Sequence, residues 1–447
     1  MIRLLFPIAA TAVALFLYLR RPLGYVGFTL WVWFLTPLAR RLVDQQLGWV
    51  EPNLLLLAPF FVASVSGLSL ILPRKTAPMS TPAPFVLCGL AVLYGFVVGM
   101  ALDPSAERVY ALFNWMAPML FAMHLCLNWR EYPALRRTIE LNFAAGVAVM
   151  GAYGMYQFFF APPWDTYWLR NISINSIDPS FGQPTPMGIR VWSTLNAPGP
   201  FANVMMAGLL LLFVTSTVWK PPASIAGYVS FLLSSVRTAW LSWAIGLVML
   251  LRRERPATIV KIVASLLLLA ACLVPVIENP NIAPVLGDRL KTFQNLHNDE
   301  SFRERQEMYT VVLGVVRSEP WGHGLKNQEI VHHLVVDSGL LILVLELGWL
   351  GALLYAAGIL SFLFTRVECG PLGTSDEDRF PRAMQAICIA YLAQLVGGQV
   401  FVGVTGAIFW MCLGMSCAAR SWHQEHAHAM QVEPIDEALP ELAMSER

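Results

Sequence analysis

One arginine in this sequence stands where an arginine is hardest to place. Residues 223–251 form a mostly apolar run of about 29 residues, interrupted at Ser234-Ser-Val-Arg-Thr238. An arginine inside such a run costs about 2.5–3.5 kcal/mol on membrane-insertion scales, so Arg237 needs a partner, a polar cavity or a reach to lipid headgroups. The run suits one long helix or two short ones meeting at the serines, and two would put Arg237 at a membrane boundary. A second stretch, 162–199, is rich in Pro, Asn, Ser and aromatics (Trp164, Tyr167, Trp168, Phe181, Trp192). Such a mixture stacks on sugar rings, and it also suits the aromatic belt at a membrane interface. A third, 278–334, centres on Asp299–Arg317, where Phe302, Met308, Tyr309, Val312, Val315 and Val316 fall near helical spacing. It reads as an amphipathic helix on the membrane with a charged, exposed start, ended by Ser318-Glu-Pro-Trp-Gly-His-Gly324. That helix is too small to be an enzyme domain and is placed as a lid over a site built by membrane helices.

The composition says what must hold these stretches. The chain has 447 residues, 56% hydrophobic and 13% charged, with a mean hydropathy of +0.57. Soluble proteins carry about 25% charged residues, so there is too little charge to cover a globule of this size. Thirty Lys+Arg against 29 Asp+Glu leaves no basic field for nucleic acid. A soluble enzyme, a disordered regulator and a DNA-binding protein are all excluded. Continuous apolar runs of about 20 residues argue for helices, since barrel strands alternate every second residue. They fall near 4–19, 23–38, 53–72, 85–102, 110–128, 139–161, 200–218, 223–236, 238–251, 258–277, 335–365, 382–397 and 404–419. The expected fold is all-α, a polytopic membrane bundle of about 12–13 transmembrane helices with a large outward helical loop.

Lys and Arg orient it. Seventeen fall on the side of Arg20, Arg136, Arg252 and Arg420, against seven (Arg3, Arg40, Arg41, Arg108, Arg170, Arg190, Arg237) on the other when the 278–334 loop is left out. The first side is cytoplasmic by the positive-inside rule. The chain then divides into an N-terminal bundle (1–161), an outward loop (162–199), helices around Arg237 (200–277), a large outward loop (278–334), C-terminal helices (335–419) and a disordered cytoplasmic tail (420–447). No outward loop carries a cysteine, so no disulfide framework supports that face. Within the spans, Glu346 and His124 read as structural polar groups. The tail histidines His423, His426 and His428 lack the further ligands a metal site needs.

Four motifs together resemble a known family. Arg190-Val-Trp-Ser-Thr-Leu-Asn-Ala-Pro-Gly-Pro-Phe-Ala202 opens a span, and Ser235-Val-Arg-Thr-Ala-Trp-Leu241 follows it. Ser301-x-x-x-Arg305 leads to Ser318-Glu-Pro-Trp-Gly-His-Gly324, and Glu346-Leu-Gly-Trp-Leu-Gly351 closes the series. Their order, spacing and placement on one side resemble the bacterial O-antigen ligase and Wzy-type polysaccharide polymerase superfamily. The motifs cover about 190–365 and the topology covers the whole chain.

The resemblance implies a cofactor-free, metal-independent glycosyltransferase of the polytopic GT-C type in the bacterial inner membrane. Its donor would be a glycan on undecaprenyl diphosphate at the periplasmic face, attacked at C1 by a hydroxyl of a glycan acceptor. Membrane lipids, a flippase and chain-length or export components are the further partners implied. The family's two arginines, which hold the diphosphate through planar bidentate forks, map to Arg237 and Arg305, with Arg289, Lys291 and Arg303 in reserve. The sequence departs at the base. Ligases carry a histidine nine residues before the Glu of the last motif, and here that position is Asp337, with Ser338 where Asn is usual. His332 and His333 lie one turn earlier, and His333 and Asp337 share a helix face. Asp337 either accepts the hydroxyl's proton or orients His333 to do so; the alternative is interfacial histidines and a helix-capping aspartate. An aspartate here resembles the exopolysaccharide polymerase branch. The expected function is polymerisation of lipid-linked repeat units, with two alternatives: ligation of a finished glycan onto lipid A-core, and transport of a polysaccharide or lipid-linked glycan. Transport predicts paired charges or broken helices near the midplane.

Overall fold

A computed structural model describes residues 1–71, 83–175, 181–252, 254–277, 300–326, 338–363 and 378–432. Its helices are α1 (Ile2–Arg20), α2 (Pro22–Leu47), α3 (Leu54–Ile71, part 3-10), α4 (Ala83–Leu102), α5 (Ala106–Leu127), α6 (Tyr132–Phe160) and α7 (Pro163–Asn175). They continue as α8 (Pro198–Leu212), α9 (Lys220–Leu233), α10 (Arg237–Leu251), α11 (Pro256–Ile277), α12 (Glu300–Ser318), α13 (Gly339–Leu363), α14 (Phe380–Ala393) and α15 (Gly403–Val432). Among the described residues there is no strand beyond one isolated bridge, Gly182 with Ile189.

Seven of these segments are long and apolar enough to cross a membrane: α1 to α5, Trp129–Phe160 and α13. Five shorter apolar helices join them, among them α8, α10 and Phe380–Val396. The protein is a multi-pass membrane helix bundle, as the composition requires. Apolar side chains such as Leu90, Val97, Leu241, Leu350 and Leu353 stay exposed on its surface, where lipid would cover them. The most extensive packing joins α5 to α15, α4 to α13 and α6 to α9.

Ion pairs mark both ends. At one, Arg136 binds Glu140 and Asp378, and Glu254 binds Arg379. At the other, Arg3 and Arg40 share Asp44, while the Arg40 guanidinium lies over the rings of Trp49 and Trp168. The second end also carries the 190–197 segment and the start of α10.

Three expectations change. Residues 420–432 are helical rather than a disordered tail: His423 Nε2 lies 3.2 Å from Asp378, and Trp422 packs on Tyr132. The helix expected over 335–365 starts at Gly339 in the described part and breaks at Gly348. The aromatic side chains of 162–199 divide, with Trp192 and Trp168 buried and Trp164, Tyr167 and Phe181 half-buried. The buried pair packs into the bundle core instead of forming an open sugar-stacking surface.

Candidate active site

Arg237 is the first residue of α10, and the long apolar run is two helices. α9 ends at Leu233, Ser235 takes a left-handed φ of 55°, and Val236 precedes α10 in extended backbone. The arginine is half-buried at this boundary. The turn is held from outside by Arg190, whose Nε donates to the Ser234 carbonyl (3.3 Å) and whose Nη2 donates to that of Ser235 (3.2 Å). The Val191 N–H adds a bond to the Leu233 carbonyl at 3.2 Å. Two segments that the sequence separates by 44 residues are therefore one unit.

That unit is fixed to the bundle by a buried clasp. Arg41 of α2 and Asp165 of α7, both without solvent exposure, form an ion pair at 2.9 Å. Arg41 also donates to the carbonyls of Ser193 and Leu195. Gln157 of α6 donates to Asp165 at 2.9 Å, and its carbonyl accepts the N–H groups of Trp192 and Ser193. Burial pushes the Asp165 carboxyl above its ordinary value, against the opposing pull of Arg41, Gln157 and Tyr153.

The other two motifs interlock in the same way. After α12 the chain turns into the bundle at Glu319–Lys326 and lies between α4 and the break in α13. In an unbroken helix Trp349 N–H would donate to Leu345; here it donates to Pro320 at 3.0 Å, and Leu345 accepts from His323 N–H at 2.8 Å. Gly322, Gly324 and Gly348 all have φ between 64° and 81°. A Cβ on Gly322 would stand 2.3 Å from the Gly348 nitrogen, so both glycines are required by the contact. Such irregular backbone survives in a membrane bundle only when its polar groups are met by protein. Arg108 donates to the carbonyl of Leu325 (3.0 Å), Tyr94 to that of Trp321 (2.9 Å), and Leu325 N–H to Gly95 (3.1 Å). Glu346, buried, accepts Lys326 N–H at 3.1 Å and Trp115 Nε1 at 3.2 Å. Its role in the described contacts is to hold this loop.

α12 connects the two units. Its buried face, Met308, Val312 and Val316, packs on Leu341, Ile342 and Leu345 of α13, so that face meets protein and not a lipid surface. Tyr309 OH lies 2.7 Å from Ser338 Oγ and donates to the Val396 carbonyl at 3.1 Å. The turn Gln394–Val396 in turn packs against α10.

Of the residues expected to act, Arg237 is placed as described. Arg305 and Arg303 lie on α12, with Arg305 one turn before Tyr309, and their side chains are outside the described set. Asp337, His333, His332, Arg289 and Lys291 lie outside the described residues. The described residues on either side of 327–337 are held in place: Lys326 by Glu346 and Glu107, and Ser338 by Tyr309 and Leu395. Among the described residues no cluster of His, Cys, Asp and Glu is able to hold a metal. His124, read as structural, bonds Ser69 at 2.7 Å. The sequence reading missed the positioning groups Arg41, Asp165 and Gln157, and named Arg190 only as the start of a motif. The signal available for two of these was charge, Arg41 near the end of an apolar run and Asp165 in an aromatic loop, without any hint of pairing.

Residues 222–356 match the family model described as O-antigen ligase. This stretch runs from α9 to the middle of α13, and holds the Arg237 turn, α12 and the glycine loop. No curated protein matches the chain.

Proposed function

We propose that this membrane protein, whose residues 222–356 match the O-antigen ligase family model, is an enzyme of the ligase- or polymerase-like kind that polymerises undecaprenyl-diphosphate-linked oligosaccharide units into an exopolysaccharide or O-antigen chain. The observation that supports this most is the convergence at one bundle end of Arg237, the helix of Arg305 and the start of α13 behind Asp337, tied through Tyr309, Ser338 and Gln394–Val396.

The site would lie at the periplasmic face of the inner membrane, by the positive-inside count. In the reaction an acceptor hydroxyl oxygen forms a bond to the donor sugar's C1 as the bond from C1 to the phosphate oxygen breaks. The lipid diphosphate leaves with the electron pair, and Arg237 and Arg305 neutralise the charge that grows on it. The hydroxyl proton goes to Asp337, directly or through His333. No metal is needed for this division of labour, because two guanidinium forks supply the cationic stabilisation.

The matched family's description favours a second reading, transfer of a finished glycan onto lipid A-core, while Asp337 in the base position favours the polymerase. Transport draws little support from the break in α13, since Pro320 and His323 take the backbone groups that it frees. The experiment is reconstitution in proteoliposomes with lipid-linked oligosaccharide, with and without lipid A-core. Lengthening of glycan on its lipid carrier supports the polymerase. Appearance of glycan on lipid A-core supports the ligase, and movement of donor without new glycosidic bonds supports transport.

A further inference from the structure

At the bundle end that carries Arg136, the carboxylates are already shared between cations. Glu140 serves Arg136 (2.9 Å) and Arg137 (3.6 Å), Asp378 serves Arg136 (2.8 Å) and His423 (3.2 Å), and Glu254 serves Arg379 and Arg382. Lys220, the first residue of α9, has no carboxylate partner among the described residues. Its ammonium donates instead to the carbonyls of Phe213 (3.3 Å) and Thr215 (3.4 Å), just past the end of α8. Arg137 Nη1 donates to the next carbonyl, Ser216, at 2.9 Å. Two cations thus close on one short turn between α8 and α9.

A charge at Lys220 is costly where it stands. The residue is half-buried, and a helix N-terminus opposes a cation through the macrodipole. Lys220 precedes the apolar part of α9, and burial, followed by the Arg379 charge, pushes its ammonium below the ordinary lysine value. An anion held at the turn would offset these costs. The neighbouring side chains select the kind of anion. Val218 and Trp219 are 87% and 64% exposed, an apolar pair beside two cations. A soluble phosphate leaves that pair in water, whereas a phospholipid lays its acyl chains there and turns its phosphate to the cations.

We propose that the turn 213–220 binds the headgroup of an anionic phospholipid, with Lys220 and Arg137 on its phosphate and Val218 and Trp219 against its chains. The positive-inside count assigns this end to the cytoplasmic leaflet. α9 runs from here to the Arg237 turn at the opposite end, so the lipid site is separate from the site of the proposed reaction and stands without it.

The test is thermal melting of the purified protein in neutral detergent, titrated with phosphatidylglycerol, with phosphatidylcholine of the same chains, or with inorganic phosphate. Phosphatidylglycerol should raise the melting temperature saturably, and the other two should do little at the same concentrations. Lys220→Gln should melt within a few degrees of the parent, since no ion pair is lost. Its apparent affinity for phosphatidylglycerol should fall roughly fivefold, the worth of one basic residue at a lipid surface, and Arg137→Gln should lose as much. Arg255→Gln and Lys261→Gln, which remove exposed cations, should keep the parental affinity. Equal stabilisation by the two lipids overturns the proposal. Equal weakening by Arg255→Gln or Lys261→Gln also overturns it, because diffuse charge would then account for the effect. Inorganic phosphate as effective as phosphatidylglycerol overturns the lipid assignment. Should Lys220→Gln fold poorly, Trp219→Ser alters a side chain that is largely exposed: weaker phosphatidylglycerol binding is expected, and parental binding overturns the proposal.

Discussion

The Trp349 N–H donates to the Pro320 carbonyl at 3.0 Å, across a break in its own helix. By this exchange the loop that follows α12 becomes part of the membrane bundle. The helix gives up one rung of its ladder, Leu345 to Trp349, and recovers both halves from Pro320 and His323. The loop and the break are thus one structure, and neither is stable in this form without the other.

Gly348 is where that exchange is most sensitive. Its φ is 64°, and an added Cβ would stand 2.5 Å from the Trp321 backbone. Gly348→Ala should destabilise the protein by about 2 kcal/mol or more, from left-handed strain together with the clash. Gly314 of α12 has open space around its Cβ position, so Gly314→Ala should be neutral or stabilise by about 0.5–1 kcal/mol. Thermal melting in detergent compares the two directly.

The Arg41 clasp should respond differently to one substitution and to two. Arg41→Met leaves the Asp165 carboxylate buried without its ion-pair partner, and removal of one member of such a pair costs about 3–5 kcal/mol. Asp165→Asn added to it removes the stranded charge and should recover a large part of the loss. A double variant no more stable than Arg41→Met would show that the carbonyl bonds to Ser193 and Leu195 carry the clasp. Melting temperatures and the yield of folded protein measure this.

Asp378 should make the opposite end sensitive to acid. Burial pushes its carboxyl up, but bonds from His423, Tyr132 and Phe380 N–H and the Arg136 charge outweigh that, and the group is held below its ordinary value of 3.8. A depressed folded-state pKa stabilises above the unfolded value and ceases to do so as the pH falls through the folded one. Melting temperature should therefore drop as the pH is taken below 3.8, and Asp378→Asn should flatten that part of the profile while lowering stability at neutral pH. His423 Nε2 faces the same carboxylate at 3.2 Å.

The sequence made some of this legible and hid the rest for identifiable reasons. The position of Arg237 was readable because a run of about 29 apolar residues exceeds one span and the paired serines mark the turn. The four motifs were visible in order, but nothing in them says that 190–191 closes on 233–235 or that 320–326 closes on 345–349. These are long-range contacts made by backbone carbonyls, which have no sequence signature. The Arg41 and Asp165 pair spans 124 positions, so charge alone could not join them. Glu346-Leu-Gly-Trp-Leu-Gly351 was visible as a motif inside an apolar run, but the break at Gly348 depends on a loop arriving from elsewhere. Residues 420–432 were read as tail from their polarity, and they are helical because Asp378 and Tyr132 receive His423 and Trp422.

The central claim is that arginines at this end of the bundle stabilise a departing lipid diphosphate during glycosyl transfer. The most direct measurement is glycan chain length on the lipid carrier, made by reconstituted protein from lipid-linked oligosaccharide, for the parent and for Arg237→Ala. Lengthened product is expected with the parent and a loss of at least about 100-fold in rate with Arg237→Ala, as when a transition-state charge loses its partner. Product of parental length formed at the parental rate by Arg237→Ala would contradict it.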